Sequence, residues 1–405
     1  MIYVVPSKRI KEILKDTIAK TGDISKFSEQ TSNKAYNIRR WRRGTRTLPF
    51  DIIKTLADSQ KLDVWEFLDN ERLKAMTTSN SFRISYKITT SECLLLGWVL
   101  SEGHLARDRV TISQNERQPL EMLRKIIVTN FNITNGIRIE RDRRGWKLVI
   151  NSSAFPNYLN LRYGIPYRKK SSIIRVPVQI FEISDEEKYA FLAGCLEGDG
   201  SFIVKTRKSE RGEYRIPQVS LTSYSRKFLE DINFLLKSLD IKSTIHSEKL
   251  LISKADDCAK LFFKIIPYMI HNRKIKDFMK SLIDFQYLNA IPIANSGELV
   301  KKWKNELNIT WIEFTKIIEK ECKYKASYYT TSNWGYNNFS PPITVIIKAC
   351  EELGENYFEY LPEWTAALLL IHNKIDQKDF ENIRGVKLPL INMEDIASLV
   401  QQRLK

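Results

Sequence analysis

Two apolar segments of nearly the same build stand out from the mixed hydrophobic and polar pattern of this chain. They occupy residues 95–103 and 192–200, and each ends in an acidic residue followed by glycine. At one offset of 97 residues they share four positions, which are Leu95 with Leu192, Gly97 with Gly194, Glu102 with Asp199, and Gly103 with Gly200. The pattern predicts a repeat of two helices that begin near Ser91 and Ser184. Both would end at a glycine, the residue type that most easily adopts a left-handed cap.

Each predicted helix carries a carboxylate in its last turn, Glu102 in the first copy and Asp199 in the second. A helix C-terminus already carries partial negative charge, so a carboxylate there costs roughly 0.3–1 kcal/mol unless something positive offsets it. A divalent metal ion or a basic, phosphate-bearing partner would do so, because carboxylate and carbonyl oxygens suit hard cations such as Mg²⁺. The small residues Gly97, Ala193 and Gly194 would let the two helices approach closely, which would bring both carboxylates to one seam.

The segments after each helix alternate apolar and polar residues, as half-buried strands do. After the first helix the pattern predicts a strand at 104–114, a helix at 118–130, a hairpin at 136–151 and a helix at 154–163. After the second it predicts a hairpin at 202–222, a helix at 225–239, strands within 242–253 and a helix at 256–266. This order predicts an α+β fold, in which two αββαββ lobes with saddle-shaped antiparallel sheets form a pseudo-twofold pair.

One face of each predicted sheet is polar and basic, while the other packs against helices. Such a face could contact base edges in the major groove of DNA, as two-stranded ribbons do. On it we place Arg107, Arg109, Arg138, Lys147, Lys205, Arg207, Gln218, Ser220 and Thr222. For any single one of these residues a solvated strand face is an equal alternative, so the prediction concerns the set.

A second repeat, at an offset of 293 residues, flanks the lobes. The matching positions are Trp41 with Trp334, Pro49 with Pro342, Ile53 with Ile346, Glu66 with Glu359, and Leu68 with Leu361. The N-terminal copy resembles the end of a Cro/repressor-type helix-turn-helix domain, which implies a recognition helix at roughly 32–40. A second such domain is expected around 300–362, and helical bundles that pack on the core or on a partner are the alternative for both.

The two flanking copies differ in charge. The N-terminal copy carries a basic cluster expected to contact phosphates, which comprises Lys34, Arg39, Arg40, Arg42 and Arg43. The C-terminal copy lacks the arginines and offers residues such as Lys323, Lys325 and Tyr329. The predicted domains are therefore an all-α helix-turn-helix domain at 1–77, lobes at 78–168 and 169–292, and a C-terminal helix-turn-helix-like domain with a tail at 293–405.

Composition narrows the class of partner. The chain has 405 residues, and 65 Lys and Arg against 48 Asp and Glu give a net charge of +17, which favours nucleic acid through counterion release. Its apolar runs are far shorter than the roughly 20 residues of a membrane span, and its N-terminus has no signal-peptide pattern, so we expect an intracellular protein without membrane contact. Five dispersed cysteines without CxxC spacing indicate neither a disulfide framework nor a zinc site.

The two helical segments resemble the paired LAGLIDADG motifs of homing endonucleases. The second copy is near-ideal at 192–194 and 198–200, and the first is looser. Between them the order Lys170-Ser171-Ser172, Val176-Pro177, Ile180-Phe181 and Phe191 is similar to that of single-chain and intein-associated members. The resemblance covers roughly residues 85–290.

The resemblance implies a site-specific double-strand DNA endonuclease. In such an enzyme Glu102 and Asp199 would bind Mg²⁺ or Mn²⁺, together with the backbone carbonyls of Ser101 and Gly198, and each would act near one scissile phosphate. By position in the family pattern, Lys170 and Lys274 are candidate catalytic residues, as basic side chains near each site. Two unequal lobes in one chain imply a monomer with internal pseudo-twofold symmetry that cuts a long asymmetric target.

Two other functions stay open from the sequence. A transcription regulator could keep this fold without cleaving DNA, and a maturase could bind intron RNA, since charge alone attracts both nucleic acids. An intein is not expected, because the chain begins Met1-Ile2 and lacks a terminal His-Asn. The target sequence and the retention of catalysis are not determined by these patterns.

Overall fold

Three four-stranded antiparallel sheets and the helices packed on them form the molecule, which confirms the predicted mixed α+β class. The computed structural model describes residues 2–75, 81–142, 145–168, 170–209, 212–275, 277, 293, 295–356 and 359–361, without the side chains of 206–216 and 255. In this described part, no helix has both the length and the apolar character needed to cross a bilayer.

The N-terminal region contains five helices and a small sheet. The helices are α1 (Lys8–Thr21), α2 (Ile24–Gln30), α3 (Ala35–Arg43), α4 (Phe50–Ser59) and α5 (Val64–Phe67). The strands, in sheet order, are β2 (Leu48–Pro49), β1 (Tyr3–Val4), β3 (Arg72–Lys74) and β4 (Ser81–Arg83). The predicted all-α domain ending at residue 77 is therefore wrong in two ways, since the region has strands and its sheet continues past that boundary. Strands of two or three residues are too short to produce a readable alternation.

The two lobes have the same topology. Lobe 1 comprises α6 (Thr90–Ser101), β5 (Gly103–Leu105), β6 (Arg109–Gln114), α7 (Arg117–Phe131), β7 (Ile137–Asp142), β8 (Gly145–Asn151) and α8 (Ala154–Tyr163). Lobe 2 comprises α9 (Gln179–Glu182), α10 (Asp185–Asp199), β9 (Gly200–Ser209), β10 (Gly212–Thr222), α11 (Arg226–Ser238), β11 (Thr244–His246), β12 (Lys249–Ile252) and α12 (Ala255–Ile265). Their sheet orders are β5-β6-β8-β7 and β9-β10-β12-β11. Counted from its own first strand, each sheet runs 1-2-4-3, as a repeated αββαββ unit requires.

The C-terminal region is helical over the residues described. It contains α13 (Gly297–Glu306), α14 (Trp311–Glu321), α15 (Tyr328–Gly335) and α16 (Ile343–Leu353). Trp334 on α15 is buried like its N-terminal counterpart Trp41 on α3, so the two tryptophans of the flanking repeat both serve as core residues. The predicted tail at 363–405 lies outside the described residues.

A buried polar cluster joins the N-terminal region to lobe 1. Trp65 on α5 meets Tyr158 on α8 edge to face, with ring centroids 5.7 Å apart, and the Arg162 guanidinium lies 5.8 Å from the Trp65 ring. Tyr158 and Tyr163 both donate hydrogen bonds to the Glu92 carboxylate, at 2.7 and 2.6 Å. The Trp65 contacts thus attach the N-terminal region, which contains the basic helix α3, to helix α8 of lobe 1.

Candidate active site

The helices α6 and α10 cross so closely that two glycines are required at the crossing. A Cβ on Gly97 would lie 2.3 Å from the Phe191 carbonyl oxygen, and a Cβ on Gly194 would lie 2.3 Å from the Leu94 carbonyl oxygen. Residues 92–100 of α6 and 189–198 of α10 are buried. The predicted close seam between the two helices is therefore observed.

The glycines that end these helices serve a different purpose from the predicted left-handed cap. Gly200 has φ −85° and ψ 156°, which is extended backbone, and Gly103 is likewise absent from the positive-φ glycines of the described chain. A Cβ would lie 2.5 Å from the Val99 carbonyl oxygen at Gly103 and 2.4 Å from the Leu196 carbonyl oxygen at Gly200. Glycine is needed there because the first strand of each sheet turns back against the last turn of its helix.

Both carboxylates lie at this seam, since Glu102 is the C-cap of α6 and Asp199 is the last residue of α10. A Cβ on Gly198 would lie 3.1 Å from Glu102 Cγ, which places the two helix ends in contact. Burial raises the pKa of Glu102, and repulsion from Asp199 raises it further, while Lys274 and Lys170 oppose the shift. Burial also raises the pKa of Asp199. The arrangement therefore needs positive charge at this point.

Two lysines supply part of that charge from within the chain. Lys170 Nζ donates to the carbonyl oxygens of Val99 (2.6 Å), Leu100 (2.5 Å) and Ser101 (3.3 Å) at the end of α6. A lysine side chain in contact with the last carbonyls of a helix offsets the negative end of its dipole. Burial lowers the pKa of Lys170 to about 8, although Asp199 and Glu102 act in the opposite direction.

Lys274 makes the equivalent contacts at the end of α10. Its Nζ donates to the carbonyl oxygens of Leu196 (3.3 Å), Gly198 (2.9 Å) and Gly200 (2.6 Å). Burial lowers its pKa, whereas the nearby carboxylates raise it. The sequence identified both lysines by position, but their helix-end contacts are visible only in the structure.

The oxygen atoms at this seam suit a metal ion that the protein would share with a substrate. In the described part of the chain, no group of three or more His, Cys, Asp and Glu side chains could enclose a metal ion. Mg²⁺ is commonly held by one or two carboxylates and completes its shell with water and phosphate oxygens, which Glu102 and Asp199 would allow. The predicted carbonyl ligands of Ser101 and Gly198 already accept from lysines, so either would have to share its second lone pair.

A cavity of about 230 Å³ adjoins the Glu102 carboxylate. Its wall consists of Glu102, Ser113, Gln114, Asn115, Asp142, Gly145 and Trp146. These residues come from the end of α6 and from the strand ends of the first sheet. The carboxylate is thus open toward the sheet on which the sequence places DNA contacts.

A further buried carboxylate, Glu197, lies on α10 two residues before Asp199. It is fully buried and accepts hydrogen bonds from the backbone N–H groups of Ile270 and His271, both at 2.6 Å, and from Trp98 Nε1 at 3.1 Å. Burial raises its pKa to about 8. The available signal was an acidic residue in an otherwise apolar segment, at the position where the first copy has Leu100.

His271 is a functional candidate that the sequence did not indicate. Its ring is fully buried and lies nearly parallel to Trp98 with centroids 6.5 Å apart, and neither ring nitrogen has a hydrogen-bond partner among the described residues. Burial lowers its pKa to about 4, and the charges of Lys274 and Arg273 add to that shift.

The predicted polar faces are only partly open. In lobe 1 the buried Val110 and Ile112 alternate with exposed positions, as predicted. The exposed members of the set are Arg107, Arg109, Arg138, Lys205 and Thr222, and Lys147 is half-buried. Arg109 pairs with Asp108 at 2.9 Å and Arg138 with Glu140 at 2.8 Å. Such exposed ion pairs are worth about 0–1 kcal/mol, so phosphate could replace the carboxylates.

Two members of the set are buried, contrary to the expectation of an exposed face. Gln218 Nε2 donates to Ser253 Oγ at 2.9 Å, and the hydroxyls of Ser220 and Ser201 lie 2.7 Å apart. Short polar side chains that pair across neighbouring strands shield each other from solvent. The side chain of Arg207 lies outside the described residues.

The basic cluster of the N-terminal region lies on and beside α3. Lys34, Arg39, Arg42 and Arg43 are exposed, and the guanidinium of the half-buried Arg40 lies 5.7 Å from the centroid of the Tyr36 ring. The corresponding helix α15 exposes Tyr328 and Tyr329 and has no arginine. The predicted charge difference between the flanking regions is therefore present at the surface.

One family model matches part of the chain. Residues 186–265, which lie in lobe 2, match the model of the family described as LAGLIDADG-like domain. A probable translation initiation factor IF-2 of Thermococcus kodakarensis is 25% identical over an alignment of 311 residues, and the match covers 70% of this chain and 26% of that protein. The chain thus spans about a quarter of that relative's length.

Solved structures of LAGLIDADG proteins are among the matches. I-DmoI in complex with DNA and Ca is 16% identical, with a TM-score of 0.33, and the match covers 44% of this chain and 91% of that one. The I-SmaMI LAGLIDADG homing endonuclease bound to cleaved DNA is 14% identical, with a TM-score of 0.33, and the match covers 55% of this chain and 92% of that one.

Proposed function

We propose that this protein is a site-specific endonuclease that cuts both strands of a DNA duplex with divalent metal ions. The observation that carries the proposal is the matched pair of helix ends at one seam. Each end presents a partly buried carboxylate, Glu102 or Asp199, beside a lysine that contacts the last helical carbonyls. A structural seam alone gives no reason to concentrate two like charges with raised pKa values at one point.

In this proposal Glu102 and Asp199 hold the ions, and Lys170 and Lys274 add positive charge beside the phosphates. A bound Mg²⁺ or Mn²⁺ would supply an activated water and neutralise charge on the scissile phosphate. Before DNA binds, the lysines hold both helix ends in place and limit the repulsion between the carboxylates. The exposed residues of the two polar faces position the duplex through phosphate and base contacts.

The flanking regions would extend the contact with DNA. The exposed arginines on α3 form a basic surface suited to phosphate binding, and α3 (Ala35–Arg43) overlaps the range 32–40 expected for a recognition helix. Because lobes and flanks differ in sequence, the target would be long and asymmetric, and one chain would suffice to cut it.

The proposal is tested with Glu102→Gln and Asp199→Asn, which keep the side-chain shape and remove the charge. With Mg²⁺ and a randomised or genomic DNA library, we expect wild-type protein to cut at a defined sequence and each variant to cut at least about 10³-fold more slowly. Glu121→Gln, on the exposed face of α7, is the matched control and should cut normally.

Three other outcomes would replace the proposal. Full activity in both variants would remove the metal-binding role from these carboxylates. Sequence-specific protection of DNA without cleavage by the wild-type protein would indicate a regulator. Stronger competition by structured RNA than by duplex DNA at several salt concentrations would indicate a maturase.

A further inference from the structure

The buried carboxylate of Glu197 anchors a chain segment that has a functional lysine. Its Oε1 accepts the N–H groups of both Ile270 and His271 at 2.6 Å, and its Oε2 accepts Trp98 Nε1 at 3.1 Å. A fully buried carboxylate is costly unless its oxygens are hydrogen-bonded, and three N–H donors meet that requirement here. Two of these donors belong to the segment that contains Lys274.

The same segment is held from lobe 1 as well. Gln118 Nε2 donates to the Ile270 carbonyl oxygen at 2.8 Å, and Arg273 pairs with Glu116 at 3.1 Å. Residues 272–275 then form a helical turn, and from it Lys274 reaches the end of α10. The position of Lys274 therefore depends on contacts that begin three and four residues earlier, at His271 and Ile270.

The described residues of lobe 1 have no equivalent of this anchor. At the offset of the repeat, the position of Glu197 is taken by Leu100, a buried apolar residue. Lys170 reaches the end of α6 from the connection that follows lobe 1, just as Lys274 reaches the end of α10 from the segment that follows lobe 2. The two lysines thus make similar contacts from equivalent places, but only the second lobe has a buried carboxylate at the anchoring position.

We propose that Glu197 is a positioning residue, which fixes Lys274 at the second helix end and thereby sets the rate at which one of the two DNA strands is cut. This inference rests on the proposed nuclease function. It adds that cleavage of the two strands depends on different supporting contacts. Loss of the Glu197 contacts should therefore yield nicked DNA, rather than equal slowing on both strands.

The anchor itself is tested without DNA or metal, by amide hydrogen exchange on the full chain. Glu197→Leu installs the residue that lobe 1 has at this position and leaves three buried N–H groups without an acceptor, the backbone groups of Ile270 and His271 and the ring group of Trp98. We expect exchange across 270–275 to become at least about 10-fold faster, while 90–100 in α6 is unchanged. Glu197→Gln keeps an acceptor oxygen and should change exchange much less. Unchanged exchange in Glu197→Leu would overturn the anchor.

The consequence is tested by strand-resolved cleavage of end-labelled target DNA. Lys170→Met and Lys274→Met first define which strand depends on which lysine. Glu197→Leu should then slow the Lys274-dependent strand by about 10- to 100-fold, the cost of a misplacement of about 1 Å, and leave the other strand within about twofold. Nicked product should accumulate, and Glu197→Gln should restore most of the rate.

The alternative results are distinguishable. Equal slowing of both strands, or no slowing of either, would overturn the positioning role and leave Glu197 a purely structural residue. If Glu197→Leu does not fold, Glu197→Gln provides the milder test, because its amide N–H opposes Trp98 Nε1 and weakens the anchor in a folded chain. A wild-type protein that cuts neither strand would refute the proposed function, while the exchange experiment would still decide the anchor.

Discussion

The two halves of this chain repeat the same parts but support them differently. Each half has a flanking helical region, an αββαββ lobe, and a helix that ends in a carboxylate and whose last carbonyl oxygens accept from a lysine. In the first half the helix has Leu100 and Ser101 before its carboxylate, and in the second it has Glu197 and Gly198. Both halves have the carboxylate and the lysine that would lie beside phosphate, whereas the residues that precede the carboxylate on the helix differ.

The flanking regions show the same divergence at the surface. Residues 2–75 contain 16 Lys and Arg against 10 Asp and Glu, a net charge of +6. Residues 293–361 contain 8 Lys against 9 Glu, a net charge of −1. Since phosphate attraction depends on local positive charge, the first flank is suited to DNA and the second is not. The sequence repeat between the flanks therefore does not imply a shared contribution to binding.

The largest effects are expected at the helix seam, where α6 and α10 contribute equivalent glycines to one crossing. Gly97→Ala and Gly194→Ala each place a Cβ 2.3 Å from a backbone carbonyl oxygen, which neither helix can avoid without moving. We expect each to lower the free energy of unfolding by about 3 kcal/mol or more, and by similar amounts, in denaturant titrations.

Gly164→Ala is the control for the seam. Gly164 has φ +68° and open space around it, so the substitution adds only backbone strain of about 1–2 kcal/mol. A large loss from one seam glycine and a small loss from the other would show that the two helices do not contribute equally to the crossing.

The seam was predictable from sequence because its signal is local and occurs twice. Leu95, Gly97 and Glu102 have partners at one offset, so an amphipathic analysis was not needed to find two helices that are buried on all sides. The strand alternation of β6 was readable for a similar reason, since Val110 and Ile112 alternate with polar residues within one element.

The parts that could not be predicted depend on contacts between distant residues. Gln218 and Ser220 have the polarity of an exposed face, yet their burial is decided by Ser253 and Ser201 on neighbouring strands. Two of the three donors to Glu197 are backbone groups more than 70 residues away, and backbone N–H groups leave no mark on the sequence. The prediction of a left-handed cap at Gly200 was wrong, because a glycine is required both by a positive φ and by a close approach of backbone. At Gly200 the reason is the close approach.

His271 is a further difference between the two halves, because this buried histidine belongs only to the second. The groups that face it are Lys274 and Arg273 on its own segment, Glu197, which accepts its N–H, and Glu116 from lobe 1, whose Oε2 lies 3.9 Å from Nδ1. Its pKa is lowered to about 4, so the unfolded chain binds this proton more readily than the folded one. The stability it contributes is present above about pH 6.5 and is lost as the pH falls toward 4.

His271→Phe keeps a flat ring against Trp98 and removes the titration. We expect the decline in unfolding free energy between pH 6.5 and 4 to become smaller by up to roughly 3 kcal/mol, measured by urea titration at several pH values. His246→Phe, at an exposed position on β11, should leave the decline unchanged. An identical acid profile in His271→Phe and wild type would show that the ring is not desolvated in the folded protein.

The smallest effects are expected from substitutions of single surface charges, which test whether the two flanks differ in DNA binding. Arg39→Gln and Arg42→Gln remove exposed charges next to one another on the surface of α3, and each should weaken DNA binding modestly and without regard to sequence. For each phosphate that the variant no longer neutralises, the slope of log affinity against log salt concentration should become shallower by about 0.9, measured between 50 and 200 mM KCl. Lys325→Gln, beside α15 in the second flank, should leave that slope unchanged. Equal changes in both flanks would mean that charge at the surface does not distinguish them, and the second helical region would then have to be counted as part of the DNA interface.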